Sequence, residues 1–294
     1  MLEAEVNNDR TILDYLNEDC WRAVLQYVPA QDLIRTERAS RAWQCMVLTY
    51  LQGVRIIIER EDKDKILQNY NTCSLKPSRY KSFINWTNKL GPSVVATYCH
   101  NLRNLEIINE KCPNLESLQL SRIKIEAGQL QHNLNDNFKV LREVSFQGCF
   151  IQDIAVTEFI ADRALEKLEI RNCTNGLNKL NGPFFDSLNL SNLKSLILEC
   201  NCESFEDDKL PFTIDQRSYG DGELKSVLSK MPKLEWLELH GGYMHDEYVS
   251  EHLSRLPRLR HLSVTYQLEH RHVEVITRSC PELRSLELLD CRCE

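Results

Sequence analysis

The sequence predicts an α/β fold in which parallel strands and returning helices stack into a solenoid, preceded by a small all-helical module. Three observations lead to this prediction. The pattern Leu-x-x-Leu-x-Leu, with Val, Ile or Phe in some positions, recurs over residues 115–288. A cysteine or asparagine stands three positions after the last apolar residue in four copies. Residues 11–52 instead have the apolar spacing of short helices.

The helical module comes first in the chain, at residues 11–52. Apolar residues at helical spacing predict about three short helices, and these residues are Cys20, Val24, Leu25, Val28, Leu33, Ala39, Trp43 and Val47. Pro29 is expected to end the first helix, since proline cannot continue a helix interior. Asp32 is expected to cap the second helix. A module this small can hold little core by itself.

A transition segment, residues 53–90, separates the helical module from the repeats. Its first part, "GVRIIIER" at 53–60, predicts a strand that could cap the solenoid. The remainder has a mixed composition and supports no functional assignment. Residues 91–112 then predict an eroded first repeat, with Val94 and Ala96 in the strand positions and Cys99 three residues later. Its helix is expected to use Leu102, Leu105 and Ile108.

Seven regular copies follow, and they begin at Leu115, Leu141, Leu165, Leu193, Leu234, Leu259 and Leu283. Successive copies start 24 to 28 residues apart, except for one step of 41 residues that contains an acidic loop near 202–222. This period is typical of leucine-rich repeats. One copy cannot bury its apolar face alone, whereas stacked copies share a continuous core. Residues 91–294 are therefore predicted to form a leucine-rich-repeat solenoid, with strands on its concave face and helices on its convex face.

The cysteine or asparagine of each copy is expected to face inward, where the strand turns into the returning segment. These residues are Cys149, Cys173, Asn201 and Cys291. A buried cysteine behaves as a small apolar side chain. We therefore expect the cysteines to resist alkylation until the protein unfolds.

Composition argues against several classes of function. The net charge is −7 over 294 residues, which gives no overall attraction to nucleic acid or to an anionic membrane. The sequence has no apolar run of 18 residues and no basic-then-apolar signal at its start, so the 12 cysteines are expected to stay reduced in the cytoplasm, the nucleus or both. It lacks a Gly-rich phosphate loop, a G-x-S-x-G motif and cysteine pairs at zinc spacing. We expect no catalytic residue, cofactor or metal.

The N-terminal module resembles an F-box, the motif that docks substrate receptors onto the Skp adaptor of Skp–cullin–F-box ubiquitin ligases. The resemblance is carried by Leu16, Glu18, Val24, Leu25, Val28, Asp32, Leu33, Ser40, Arg41 and Trp43. The family usually has proline after the first leucine, whereas this chain has Asn17, which predicts a looser entry into the first helix. The resemblance implies an adaptor contact through Leu16, Asn17, Val24, Leu25, Val28, Leu33 and Trp43. The alternative is that some of these side chains form the interior of the module.

An F-box followed by cysteine-containing leucine-rich repeats is similar to the F-box/leucine-rich-repeat family. That resemblance implies a non-catalytic receptor, which binds the Skp adaptor and through it a cullin, and which holds a protein substrate near the ubiquitin carrier. The competing hypothesis is a protein-binding scaffold without a ubiquitin role, in which the N-terminal helices only cap the solenoid.

The substrate site is expected on the concave wall, at the residues between and just after the strand leucines of the last three copies. They are Trp236, Glu238, His240, His261, Thr265, Glu287 and Leu289. An outward tryptophan has no core to fill, and tryptophan is enriched at interface hot spots. The acidic loop at residues 206–208 lies shortly before this strand and could attract a basic segment of the partner. The alternative is that this loop folds back and covers Trp236.

Overall fold

The computed structural model of the chain describes residues 16–58, 72–75, 80–125, 138–151, 159–161, 163–173, 188–199, 230–240, 256–264 and 270–288. The chain divides into two compact units, Met1–Thr97 and Tyr98–Glu294. We call them the N-terminal unit and the repeat unit. Among the described residues, helices that are both long enough and apolar enough to cross a bilayer are absent.

The N-terminal unit combines helices with parallel strands. Its elements are α1 (Glu18–Leu25), α2 (Ala30–Thr36), α3 (Arg41–Gln52), β1 (Arg55–Ile58), β2 (Thr72–Leu75), α4 (Tyr80–Leu90), a 3-10 turn (Gly91–Ser93) and β3 (Val94–Cys99), whose last two residues belong to the repeat unit. Strand β1 pairs in parallel with both β2 and β3. The three predicted helices and the strand of the transition segment are confirmed.

Side-chain caps fix the starts of two of these helices. The Asn17 side chain accepts a hydrogen bond from the Cys20 amide at 2.9 Å, so Asn17 holds the first turn of α1. The expected looser entry at this position is therefore wrong. Ser40 caps α3 in the same way, at 3.1 Å from the Trp43 amide. The predicted cap at Asp32 is also wrong, because α2 begins at Ala30 and Asp32 lies inside it.

The buried face of α1 differs from the predicted one. Trp21 and Leu25 are buried, whereas Cys20 and Val24 are exposed. Both pairs have the i, i+4 spacing that places two residues on one face of a helix. Packing of α1 onto α3, whose Val47 is buried, selects the pair with the larger apolar area.

Strand β3 and the following helix occur where they were predicted, but after Val94 the buried positions of the strand are shifted by one residue from the predicted ones. The pairing of β3 with β1 slips after Val94, since Ile56 lies opposite Val94 and Ile57 opposite Ala96. This β-bulge leaves Val95 as the extra residue, and the buried positions continue at Val95, Thr97 and Cys99. Ala96 is half-exposed, so its assignment to an inward position is wrong.

The repeat unit contains two described helices and a ladder of short strands. They are α5 (Leu102–Lys111), β4 (Ser117–Ser121), β5 (Lys124–Ile125), β6 (Glu143–Gln147), β7 (Phe150–Ile151), β8 (Lys167–Arg171), β9 (Ser195–Glu199), β10 (Trp236–His240), β11 (His261–Val264), α6 (His270–Ser279) and β12 (Ser285–Leu288). Strands β4, β6, β8, β9, β10, β11 and β12 pair side by side in chain order and all in parallel. Strands β5 and β7 form a separate small pair. This arrangement is a leucine-rich-repeat solenoid, as predicted.

The register of the ladder follows the repeat copies without a slip. Leu118 lies opposite Val144, which lies opposite Leu168, and the same alignment continues to the last strand. It also holds across the 41-residue step, where Leu196 pairs directly with Leu237. The insertion therefore leaves the sheet intact. The predicted loop at 202–222 itself lies outside the described residues.

The ladder cysteines are buried as expected. Cys149 and Cys173 have 0% and 5% of their surface exposed, and the Cys149 thiol donates a hydrogen bond to the Leu120 carbonyl at 3.3 Å. A hydrogen bond from the Cys173 thiol lowers the pKa of Cys149 to about 7, in opposition to burial, which raises it. Asn201 and Cys291 lie outside the described residues.

A left-handed residue precedes the inward position in three successive copies. Arg122, Gly148 and Asn172 have φ angles of 55°, 58° and 52°. The two cysteines, Cys149 and Cys173, come directly after the second and third of these residues. The positive φ turns the chain sharply at the end of each strand and brings the next side chain into the core.

Candidate functional site

Alternate residues of the seven main strands point away from the leucine core, and we call the surface they form the polar sheet face. Its rows follow from the strand register. The first row is Ser117, Glu143, Lys167, Ser195, Trp236, His261 and Ser285. The next is Gln119, Ser145, Glu169, Ile197, Glu238, Ser263 and Glu287. The last is Ser121, Gln147, Arg171, Glu199 and His240.

Five of the predicted substrate-binding residues lie on this face, namely Trp236, Glu238, His240, His261 and Glu287. The other two, Thr265 and Leu289, lie outside the described residues, as does the acidic loop at 206–208. The outward placement of the five is the one that the repeat pattern predicts. Their role in substrate binding stays a prediction.

Trp236 forms an ordered aromatic platform on the polar sheet face. Its ring stacks on the imidazole of His261, with centroids 3.6 Å apart and planes 17° apart. Its indole N–H donates to Glu238 Oε1 at 2.6 Å. Trp236 nevertheless keeps 41% of its surface exposed, while His261 beneath it keeps 6%. The Trp236 side chain is therefore accessible to a partner, and its contacts with His261 and Glu238 hold it in place.

Arg171 lies between three carboxylates on the same face. Its Nε donates to Glu169 Oε1 at 2.6 Å, its Nη2 donates to Glu238 Oε2 at 3.1 Å, and its Nη1 donates to Glu199. Burial acts to lower the pKa of Arg171, but the hydrogen bonds to Glu199 and Glu169 outweigh it and raise that pKa. Through Glu238, the same cation also fixes the carboxylate that holds Trp236.

The Arg171 cluster was not predicted from the sequence, although the strand register contains a signal for it. Arg171 lies directly opposite Glu199 on β9, and Glu169 stands two residues earlier on the same face of β8. Polar contacts extend the cluster to β4, since Gln119 donates to Gln147 at 2.7 Å and Gln147 donates to Glu169 at 3.2 Å. Side chains from β4 to β11 thus form one connected surface.

The polar sheet face has a negative balance of charge. Its basic residues are Lys167 and Arg171, and its acidic residues are Glu143, Glu169, Glu199, Glu238 and Glu287. Two positive and five negative charges leave −3 with neutral histidines. Within the described part of the chain, neither Glu143 nor Glu287 forms an ion pair, and Glu287 accepts a 3.4 Å hydrogen bond from Ser263.

The seven predicted adaptor-binding residues differ in their accessibility. Leu25 and Leu33 have 1% and 0% of their surface exposed, so in this structure they are interior residues rather than surface contacts. Leu16, Val28 and Trp43 are half-buried, and Asn17 is an exposed helix cap. Val24 is 56% exposed. The Trp43 indole N–H donates to Thr36 Oγ1 at 3.1 Å, inside the module.

A second exposed apolar residue lies beside Val24 and was not predicted. Tyr27 is 84% exposed, and its amide donates to the Val24 carbonyl at 3.2 Å, so the two residues share one turn. We call Val24, Tyr27 and the half-buried Val28 the α1 patch. The signal in the sequence was an aromatic residue within the turn that joins two candidate contact positions, Val24 and Val28.

Comparison with known proteins gave no match among protein-family models. No curated protein sequence matched either. Solved structures similar to the chain include the following two. A TLR13–ssRNA13 complex has a TM-score of 0.43 and 16% identity, over 82% of this chain and 33% of that one, so this chain spans about a third of that protein's length. An internalin (InlF) from Listeria monocytogenes has a TM-score of 0.33 and 14% identity, over 94% and 90%. The assignment of the fold rests on the strand register described above.

Proposed function

We propose that the chain is the substrate-recognition subunit of a Skp–cullin–F-box ubiquitin ligase, in the cytoplasm, the nucleus or both. In this proposal α1–α3 dock the Skp adaptor, and through it a cullin, while the polar sheet face binds a protein substrate. The chain contributes no catalytic residue, because the ligase works by holding the substrate near a loaded ubiquitin carrier. A catalytic activity, a cofactor or a bound metal in the isolated chain would argue against it.

The observation that carries the proposal is the α1 patch. Val24 and Tyr27 expose 56% and 84% of their surface on a small module that precedes a leucine-rich-repeat solenoid. Removal of apolar surface from water is the main favourable term in most protein–protein association. Tyrosine is also enriched at interface hot spots. The patch supplies the kind of surface that an adaptor contact requires.

The F-box resemblance supports the same proposal, but with a different set of residues in the surface contact. Leu25 and Leu33 are buried inside the module and stabilise its fold. Their presence in the motif therefore needs no contact with the adaptor. The surface contact is left to Leu16, Val24, Val28 and Trp43, with Tyr27 added. Asn17 replaces the usual proline and fixes the first turn of α1 by capping it.

The test is binding between the purified full-length chain and a purified Skp adaptor, measured by calorimetry and co-elution. We expect a stable complex with the wild-type chain. The double variant Val24→Asp/Tyr27→Asp should bind at least about a hundredfold more weakly, because each hot-spot loss costs about 2 kcal/mol or more. Thr49→Asp, at an exposed position on α3, is the matched control and should bind normally.

The proposal fails if the well-folded wild-type chain does not bind the adaptor. It also fails in its assignment of the contact if the double variant binds as tightly as the Thr49→Asp control. Circular dichroism of all three proteins establishes that α1–α3 remain folded.

A protein-binding scaffold without a ubiquitin role is the second candidate, and one observation favours it. The helical module lies within one compact unit with β1, β2 and α4, and Lys89 of α4 pairs at 2.5 Å with the buried Glu37 that follows α2. Helices integrated in this way could serve only to cap the strands beside them. Absence of adaptor binding, with partner binding at the polar sheet face retained, would select this candidate.

A further inference from the structure

The part of the polar sheet face formed by β10–β12 has the chemistry to recognise a cationic segment. We propose that it binds a basic stretch of the substrate protein, with the exposed face of Trp236 receiving an arginine side chain. This inference rests on the substrate-binding half of the proposed function and does not depend on the adaptor. In this proposal, residues of the sheet select the basic segment, and the acidic loop at 206–208 is not needed for that selectivity.

Trp236 is exposed and already ordered. The stack on His261 and the hydrogen bond to Glu238 fix the indole plane before any partner arrives. Binding to a preorganised side chain avoids the entropic cost of immobilising it. Tryptophan is also the best aromatic partner for a cation placed over its ring.

Charge complementarity also favours a basic partner. The polar sheet face has a balance of −3, and its most central cation, Arg171, is engaged by Glu169, Glu199 and Glu238. Among the described residues, β11 and β12 add Glu287 to the face and contribute no lysine or arginine to it. A basic segment would be attracted over this whole surface, whereas an acidic segment or a nucleic acid would be repelled.

The geometry of the site distinguishes arginine from lysine. A planar guanidinium stacks on an indole and can still direct its N–H groups at a carboxylate, whereas an ammonium is a strongly hydrated point charge. Each oxygen of Glu238 already accepts a hydrogen bond, from Trp236 or from Arg171, whereas Glu287 forms no ion pair within the described part of the chain, so we assign the second cation to Glu287. Glu287 lies two strands from β10 and two residues further along the strands than Trp236, which is about 12 Å in all.

That separation predicts the spacing of the basic residues in the partner. An extended chain advances about 3.3 Å per residue, so about four residues span this distance. Side chains of an extended chain alternate between two sides, so residues i and i+4 face the sheet together. The favoured ligand is therefore an extended segment with the pattern Arg-x-x-x-Arg, which crosses the strands diagonally with its first arginine on Trp236 and its second at Glu287.

The test is fluorescence anisotropy with labelled peptides and the full-length chain, without adaptor. The peptides contain Arg-x-x-x-Arg, Lys-x-x-x-Lys or Glu-x-x-x-Glu in one Gly/Ser background. We expect the arginine peptide to bind, the lysine peptide to bind several-fold more weakly, and the glutamate peptide not to bind. Trp236→Ala should lower affinity for the arginine peptide at least tenfold, and Glu287→Gln about threefold.

The matched control is Val275→Ala, which shortens another exposed apolar side chain of the repeat unit, on α6, and should leave peptide binding unchanged. Trp236→Phe keeps a ring and should retain part of the affinity. The inference is overturned if the arginine peptide does not bind the folded chain, if Trp236→Ala binds it as the control does, or if the glutamate peptide binds equally well. Adaptor binding by the same protein preparations shows separately whether the proposed function holds.

Discussion

Replacement of Arg171 by methionine tests whether one cation organises the polar sheet face. Methionine keeps most of the length of the side chain and removes the charge together with all three donated hydrogen bonds. Glu169, Glu199 and Glu238 would then face one another, and Lys167, 3.4 Å from Glu169 Oε2, would be the remaining lysine or arginine of the polar sheet face among the described residues. Glu238 would also lose a partner that orients it toward Trp236.

The expected loss of stability follows from the exposure of the groups involved. The side chains of Glu169 and Glu238 are 9% and 14% exposed, and that of Arg171 is 29% exposed. Removing one partner of a buried ion pair costs about 3–5 kcal/mol. Partial exposure of Arg171 allows water to replace part of the interaction, so we expect a loss near the lower limit, about 3 kcal/mol. Arg171→Lys keeps the charge but not the fork and should cost about half as much.

The matched control is Arg260→Met. Arg260 also pairs with two carboxylates, Glu235 at 3.0 Å and Glu282 at 3.1 Å, but its side chain is 45% exposed. Exposed pairs of this kind contribute about 0–1 kcal/mol. The two variants remove the same chemical group and differ mainly in burial.

The assay is urea unfolding followed by circular dichroism and by tryptophan fluorescence. We expect Arg171→Met to lower the unfolding free energy several times more than Arg260→Met does. If the unfolding free energy of Arg171→Met is within about 1 kcal/mol of that of wild type and of Arg260→Met, the Arg171 cluster does not stabilise the sheet.

Three further predictions concern the core of the repeat unit. Cys149 and Cys173 should react with iodoacetamide only when the protein unfolds, because both are buried, even though the pKa of Cys149 is lowered to about 7. The exposed Cys20 and Cys45 should react at once. Rapid labelling of Cys149 in the folded protein, measured by mass spectrometry, would contradict the assigned register. Burial raises the pKa of Cys112 to about 12 from an ordinary value of 9, so the stability that Cys112 contributes is complete below about pH 9 and is lost as the pH rises toward 12. Cys112→Val should reduce this alkaline loss of unfolding free energy by about 1.4 kcal/mol per pH unit. If urea unfolding between about pH 9 and about pH 10.5 gives the same dependence on pH for the variant and wild type, the thiol is not protected. Gly148→Ala should cost about 1–2 kcal/mol because of its φ of 58°, as measured by the urea midpoint, and a neutral effect would mean that the left-handed turn is dispensable.

Much of the repeat unit could be predicted because the strands are buried on one face. A slip of one residue would turn every leucine of a strand outward, so the alternation at Leu118 and Leu120 determines the register strongly. The same reasoning placed Trp236 outward and the ladder cysteines inward. It succeeded even across the 41-residue step, since the register depends on the strands and not on what connects them.

The details that could not be predicted depend on packing between elements. Cys20/Val24 and Trp21/Leu25 have equal spacing on α1, and only the surface against which the helix packs decides between them. The bulge at Val95 arises from pairing with β1, which lies far away in sequence. Asp32 is a good cap residue in isolation, but α2 begins two residues earlier, directly after Pro29.

The candidate sites divide in the same way. The position of Trp236 follows from alternation alone, whereas the Arg171 cluster requires three strands to be aligned and their side chains compared. Tyr27 stands in a turn, where no periodic pattern indicates exposure. Its 84% exposure emerges only when the helices are packed, and it moves the expected adaptor contact away from the buried Leu25 and Leu33.

Whether the chain couples a Skp adaptor to a protein substrate, as proposed, is measured most directly by the composition of its complex in cells. The tagged full-length chain is purified with cullin activation blocked, and the amounts of adaptor, cullin and chain are quantified by mass spectrometry. We predict adaptor and cullin in near-equal molar amounts to the wild-type chain, loss of both with Val24→Asp/Tyr27→Asp, and retention of both with Trp236→Ala. Purified wild-type chain that contains neither adaptor nor cullin, while it retains a partner that Trp236→Ala loses, would contradict the claim and identify the chain as a scaffold without a ubiquitin role.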